Sequence, residues 1–254
     1  MLEWPEMTRP LGGLTALGAV LSPLDGVGPR TDAVVARISA AIGLGVMTDG
    51  EQLPSEIDLA TQLGVSTMTL RDALAVLRQR GLVETRRGRG GGSFVRATED
   101  AVMVESLARM RSLTALDLRD LGDEQLAVSG ATAVLAAQRA VAADITRLRA
   151  LAQRLADSND LMLSRRADSR FQIEVAVCSQ SARLTRAEVN LQAELSALKW
   201  LPQMSLTSEA EARRHHLLVD AIESEDEDLA RRLAETHSSA TTRQLIGLRM
   251  ELTP

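Results

Sequence analysis

Residues 54–96, PSEIDLATQLGVSTMTLRDALAVLRQRGLVETRRGRGGGSFVR, constrain the fold more tightly than any other stretch of the chain. Pro54-Ser55 is a helix start: Ser55 can cap the open N–H groups of a first turn, and Asp58 three residues on approximates a capping box. Leu59, Ala60 and Leu63 share one helical face, and Gly64 stops the helix. Val65 plugs a tight turn, after which Ser66 caps a second helix whose Leu70, Leu74 and Leu77 recur at i, i+4 and i+7. Those leucines face the first helix and leave Thr67, Thr69 and Arg71 on the outer side. Gly81 closes the helix, Leu82 to Thr85 has the β-branched character of a strand, and Ser93-Phe94-Val95 supplies its partner. Two helices around a turn, followed by a hairpin, form a winged helix-turn-helix, which seats its second helix in the DNA major groove.

Local charge agrees with that geometry, although the whole chain is acidic, with formal charge -5. Between residues 71 and 96, Arg71, Arg78, Arg80, Arg86, Arg87, Arg89 and Arg96 oppose only Asp72 and Glu84, a net +5. Such a patch neutralises phosphates and releases counterions, while the acidic remainder discourages non-specific adhesion. A solvated charged face is the ordinary alternative, but a glycine hairpin tip has no need of Arg86, Arg87 and Arg89 for that purpose. The tip itself is no nucleotide cradle. It lacks the GK[ST] ending of a P-loop, and it opens into a strand where a phosphate-binding loop opens into a helix.

LPSEIDLATQLGVSTMTLRDAL followed by GLVETRRGRGGGSFV resembles the GntR superfamily of bacterial regulators, over about residues 30–97. The resemblance implies that Arg71 contacts DNA and that Gly90 approaches the duplex at the wing. Ser55, Ser66, Thr67, Thr69 and Arg71, with Arg86, Arg87, Arg89 and Gly90 on the wing, are therefore the expected DNA-contacting residues. Ile57 and Thr67 stand where relatives commonly carry arginines, so the operator sequence is not transferable from them.

Residues 99–250 contain one proline, Pro202, and no convincing strand. Rich in Ala, Leu, Arg and Glu, they predict six or seven helices beginning with Leu107, Met110, Leu113 and Leu116-Leu118. Breaks are expected near Gly130, 142–144, 157–160, 179–182 and 202–208. The fold class is thus mainly α: an arm over 1–29, a winged helix-turn-helix over 30–97, and an antiparallel helical bundle for effector binding and dimerisation over 98–254. Only four aromatics occur, Trp4, Phe94, Phe171 and Trp200, which disfavours stacking recognition of single strands or RNA.

An all-helical domain behind this winged helix is similar to the FadR-like branch, with its FCD-type effector domain. That resemblance implies a metal site of Asp168, His215 and His237, with Gln172 standing where the branch has a further histidine. Asp168 and Gln172 lie one turn apart on a helix face, and the 22 residues from His215 to His237 fit a helical hairpin. These residues are expected to hold a divalent ion, zinc or similar, and to receive a small carboxylate effector; Gln172 is a poor ligand and counts against the ion. Ordinary hydrogen-bonded helix positions are the alternative. His216 is out of register. Gln125 and Ser129 replace an Arg-x-x-x-Glu pair common in the branch, which implies an altered effector pocket or dimer contact.

Prolines 5, 10, 23 and 29, interleaved with glycines, make the first 29 residues read as a loosely docked arm. Leu11 to Leu21 is too short and too glycine-rich to span a bilayer, and the single cysteine, Cys178, fits a reducing cytoplasm. Arginine outnumbers lysine 28 to 1, Lys199 being the exception, a bias that reads as genome composition. The expected function is a metabolite-responsive repressor that binds a palindromic operator as a homodimer, without enzymatic activity or membrane attachment. A metal-dependent enzyme built on Asp168, His215 and His237, and an effector-independent DNA-binding protein, are the competing readings.

Overall fold

The computed structural model describes residues 30–44, 47, 49–88, 90–96 and 98–252. The expected arm over 1–29 and the wing residue Arg89 lie outside them. The chain divides after Glu105 into two compact units.

The first unit contains α1 (Arg30–Gly43), α2 (Glu56–Leu63), α3 (Thr67–Gln79), β1 (Val83–Arg86) and β2 (Gly92–Val95). Its helix signals act as the sequence predicts. Ser55 Oγ accepts from Asp58 N at 3.2 Å, and Ser66 Oγ from Thr69 N at 3.1 Å. Leu59 and Leu63 of α2 meet Leu70, Leu74 and Leu77 of α3 beneath Val34, Ile38 and Ile42 of α1, all buried. β1 and β2 pair antiparallel, with Val83 opposite Val95 and Arg86 opposite Gly92. One element is not legible in the sequence. Residues 50–53, just before Pro54, add a third rung through Leu53 N to Ser93 O and Val95 N to Glu51 O, both 2.9 Å.

The second unit is helical: α4 (Glu99–Ser112) runs across the division, and α5 (Ala115–Arg139), α6 (Ala142–Ala156), α7 (Leu161–Cys178), α8 (Ala182–Lys199), α9 (Ser208–Glu223) and α10 (Glu227–Glu251) follow. The expected break at Gly130 does not occur, because α5 runs unbroken through it. A Cβ on Gly130 would lie 2.9 Å from Glu235 Oε1, and one on Gly122 would lie 2.3 Å from Thr242 Oγ1. These two glycines let α10 lie antiparallel along α5 at close approach, so they are packing residues and not a break. The break that does occur, at Leu113-Thr114, is made by a reciprocal cap: Thr114 N donates to Asp117 Oδ2 at 2.8 Å, and Asp117 N to Thr114 Oγ1 at 3.1 Å.

Apolar contacts hold the bundle in two main clusters. Leu148, Phe171, Val175, Val219 and Ile222 centre one, and Met110, Leu118, Leu191, Leu195, Leu198 and Leu245 the other. Between them the interior turns polar. Gln125, Ser129 and Thr132 of α5 are buried on one face of that helix. Arg165, Asp168 and Ser169 on α7, and Glu188, Gln192, Ser196 and Lys199 on α8, are buried likewise.

Candidate DNA interface and effector site

In the first unit, α3 presents Thr67, Met68 and Arg71 to solvent, while Thr69 is half-buried beside the cap it shares with Ser66. Ser55 and Ser66 carry hydroxyls that are engaged as caps. Arg71 Nε donates to Glu56 Oε2 at 2.7 Å, across from α2. Two apolar side chains share this exposed ground: Ile57 is 71% exposed and Met68 64%. Ile57, which replaces an arginine of the family pattern, therefore leaves an uncharged side chain in the open.

On the wing, the Arg86 guanidinium stacks 4.2 Å from the Phe94 ring centre and pairs with Glu84 at 2.7 Å. Glu84 also meets Arg96 at 3.5 Å. Arg87 is exposed at the tip. Gly90 holds φ +86° in open space, and a Cβ on Gly91 would lie 2.5 Å from Arg86 O. The hairpin thus projects cationic side chains on a backbone that side chains at these positions would distort.

In the second unit, Asp168, His215 and His237, which the family resemblance groups, lie around one buried cluster. Asp168 is fully buried in the middle of α7. His215 Nε2 lies 3.1 Å from Asp168 Oδ1, and the His215 ring packs edge-on to Phe171 at 3.8 Å between centres. His215 Nδ1 is 3.1 Å from Glu211 O, one turn back; with its proton on that nitrogen, Nε2 is an acceptor without a hydrogen-bond donor. Gln172 is half-buried one turn beyond Asp168.

Three residues that sequence reasoning does not assign to the site complete it: Lys199, Glu211 and Trp200. Lys199, the last residue of α8 and the chain's only lysine, reaches the centre of the cluster, 3% exposed. Its Nζ lies 3.1 Å from Asp168 Oδ1, 3.0 Å from Asp168 Oδ2, 3.0 Å from Glu211 Oε2 and 3.1 Å from His237 Nε2. Glu211, in the first turn of α9, also pairs with Arg214 and lies 3.4 Å from His237 Nε2. Trp200 Nε1 donates to Asp168 Oδ2 at 2.8 Å. Burial opposes the Lys199 charge, but the Asp168 and Glu211 carboxylates outweigh it and hold the ammonium above its ordinary value. Burial, reinforced by the Lys199 charge, holds His215 well below its ordinary value and His237 down to about 3, so both imidazoles are neutral.

Asp168, His215 and His237 can be weighed against the divalent ion that the family resemblance implies. Zinc needs oxygen and nitrogen donors at about 2.0–2.2 Å, whereas hydrogen bonds from an ammonium run to about 3 Å. The cluster is built on the second spacing: Asp168 Oδ1 and His237 Nε2 accept hydrogen bonds from Lys199 Nζ, and Glu211 Oε2 is ion-paired with it at 3.0 Å. Among the described residues, no three His, Cys, Asp or Glu side chains are placed to hold one metal ion. With Lys199 charged at their centre, Asp168, His215 and His237 do not fit a divalent ion.

A second buried cation lies one turn back along the same two helices. Arg165 is 4% exposed, and its one hydrogen bond among the described residues runs from Nε to Ser196 Oγ at 3.4 Å. Among those residues no carboxylate lies within ion-pair reach, and burial, with Arg166 beside it, pulls the guanidinium down to about 9. Nearby, Glu188 is pushed up to about 7 by burial, with Asp168 adding to the shift. The interior therefore contains Lys199, whose charge is met by two carboxylates, and Arg165, whose charge is not met.

The descriptions of known families match both units. The model for bacterial regulatory proteins of the gntR family matches residues 30–92, and the FCD domain matches residues 125–240. A Mycobacterium gastri protein named as an HTH-type transcriptional regulator, RmpR, is 41% identical over 88% of this chain and 82% of its own length. An Escherichia coli protein named for regulating an L-lactate dehydrogenase operon is 32% identical over 82% of this chain and 83% of its own. The solved structure of E. coli McbR/YncC shares the fold, with TM-score 0.52 at 16% identity over 90% of this chain and all of that one. The family and the two sequence relatives are described as transcriptional regulators and not enzymes, which sets aside the metal-dependent enzyme reading. No helix of the described residues is long and apolar enough to cross a membrane. The chain belongs to the GntR family of bacterial regulatory proteins and carries an FCD domain behind its winged helix.

Proposed function

We propose that the chain is a metabolite-responsive repressor in the cytoplasm, binding a palindromic operator as a homodimer and releasing it when a small carboxylate enters the helical domain. A single α3 reads only a few base pairs, so useful affinity requires two half-sites matched to a protein two-fold. The observation that carries the effector reading is Arg165. A buried guanidinium without a counter-charge is costly, and a ligand carboxylate is the partner that relieves the cost.

His215 Nε2 adds a second element. It is a buried acceptor without a donor, and a hydroxyl on the ligand would supply one. The combination favours a hydroxy acid over a plain fatty acid. The name of the E. coli relative ties that protein to an L-lactate dehydrogenase operon, which makes L-lactate the first probe. DNA selected from a random library by the purified chain at physiological salt should yield an inverted repeat. L-lactate, followed by a panel of hydroxy acids, should then be titrated against that operator. Selection of single half-sites would contradict the dimer, and an operator affinity unmoved by every acid tested would contradict the effector.

A further inference from the structure

We propose that Lys199 permanently occupies the cation position of this FCD domain, so that the acid–histidine cluster is complete without a metal. The inference rests on the reading of this cluster as the sensor site only for what Lys199 organises; its metal test uses neither DNA nor effector, so the two can fail separately.

The geometry is that of an ion and its ligands. Asp168 from α7, Glu211 from α9 and His237 from α10 converge on one point, and Nζ sits there at 3.0–3.1 Å from each. The ammonium gives hydrogen bonds to Asp168 and His237, and its charge is held by the Asp168 and Glu211 carboxylates, both at 3.0 Å. Its stem arrives along α8, so four helices are tied through one atom, which is what a structural or sensing metal accomplishes in a bundle. A monovalent cation with its own tether also leaves a different charge from a divalent one. Lys199 against Asp168 and Glu211 gives -1, and Arg214 beside Glu211 brings the group to neutral. The cluster therefore has no surplus positive charge to offer a ligand anion. Attraction passes to Arg165, and the role of Lys199 is to position Asp168, His215 and His237 rather than to contact the ligand.

The test compares the full-length chain with Lys199→Ala, each treated with EDTA, dialysed and titrated with Zn2+. Metal content and thermal unfolding are the readouts. The native chain should retain no stoichiometric zinc, and neither EDTA nor added Zn2+ should move its Tm. Lys199→Ala vacates the centre while leaving two carboxylates and two imidazoles around it. It should bind about one zinc per chain, about a hundredfold or more tighter than the native chain, because an ammonium no longer repels the ion. Zinc-dependent refolding of a Lys199→Ala protein that is unfolded without metal is the same result. Adding His215→Ala and His237→Ala should abolish the uptake. One tightly held zinc in the native chain, lost to EDTA with a fall in Tm, overturns the proposal whatever Lys199→Ala does. A folded Lys199→Ala protein that takes up no zinc overturns it too.

Discussion

Lys199 Nζ lies 3.0 Å from Asp168 Oδ2 and 3.1 Å from Asp168 Oδ1, so the chain's only lysine straddles the carboxylate around which the interior of the helical domain is arranged. Both residues are buried, and their charges are worth having only together. Lys199→Met keeps the stem and deletes the charge, leaving Asp168 without a cation and Glu211 with Arg214 alone. Urea unfolding should show a loss of about 3–5 kcal/mol. Combining it with Asp168→Asn and Glu211→Gln should recover part of that loss. A Lys199→Met protein as stable as the native chain would mean that the ammonium holds nothing together.

Arg165 leads to a ligand prediction of a different kind. Arg165→Gln removes a buried charge that has no counter-ion among the described residues, so the free protein should be as stable as the native chain or more so. The same substitution should abolish any shift in Tm or operator affinity produced by hydroxy acids such as L-lactate. A strong destabilisation of the free protein would show that Arg165 is a structural residue.

At the DNA interface, Arg71 is paired with Glu56 in the free chain. Glu56→Gln should release it and tighten operator binding a few-fold, whereas Arg71→Ala should lose affinity and discrimination together. Alanine at Arg86, Arg87 and Arg89 should weaken binding to all sequences alike, flattening the salt dependence by up to ~0.9 log unit for each phosphate no longer neutralised. Ile57→Arg should steepen it. Filter or anisotropy titrations across a range of salt concentrations separate these outcomes; identical slopes in all variants would place the phosphate-binding surface elsewhere.

The winged helix is legible almost to the residue because its signals are local: caps at Ser55 and Ser66, leucines at helical spacing, glycines at the turns. The helical domain is legible in class and in the convergence of Asp168, His215 and His237. It is not legible where a role depends on a distant helix. Gly130 reads as a break until α10 lies against it. Nothing in the local sequence around Glu211 or Arg165 ties either residue to the helices it meets. Lys199 is visible in the sequence, but the excess of arginine around it reads as genome composition. A compact ammonium fits among three acceptors at 3.0–3.1 Å, and a planar guanidinium does not.

Glu188 supplies a pH prediction. Burial raises its carboxyl from the ordinary 4.5 to about 7, so across that window the folded chain keeps a proton that the unfolded chain has released. This contribution therefore falls as pH rises from about 4.5 to about 7 and is level above it. Glu188→Gln, which cannot ionise, should gain on the native chain across the same window, reaching about 1–3 kcal/mol at neutral pH. Unfolding curves from pH 4 to 9 that stay parallel for the two proteins would rule out the buried, protonated carboxyl.

The packing of α5 on α10 is testable through one glycine. Gly122→Ala puts a methyl into Thr242 and should cost about 1–3 kcal/mol. Thr242→Ala in the same chain should recover much of it, a coupling of about 1 kcal/mol or more. Additive effects of the two substitutions would show that the helices are not closely packed there.

Because Lys199 is the only lysine, 15N-lysine labelling places a single side-chain nitrogen in the protein, and its proton–nitrogen correlation spectrum is the most direct test of the resident cation. A charged, buried ammonium bonded to Asp168, Glu211 and His237 predicts one ammonium signal with protons protected from exchange, unchanged by EDTA or Zn2+ and absent in Lys199→Ala. A rapidly exchanging signal typical of a solvated lysine, or one that shifts when metal is removed, would contradict it.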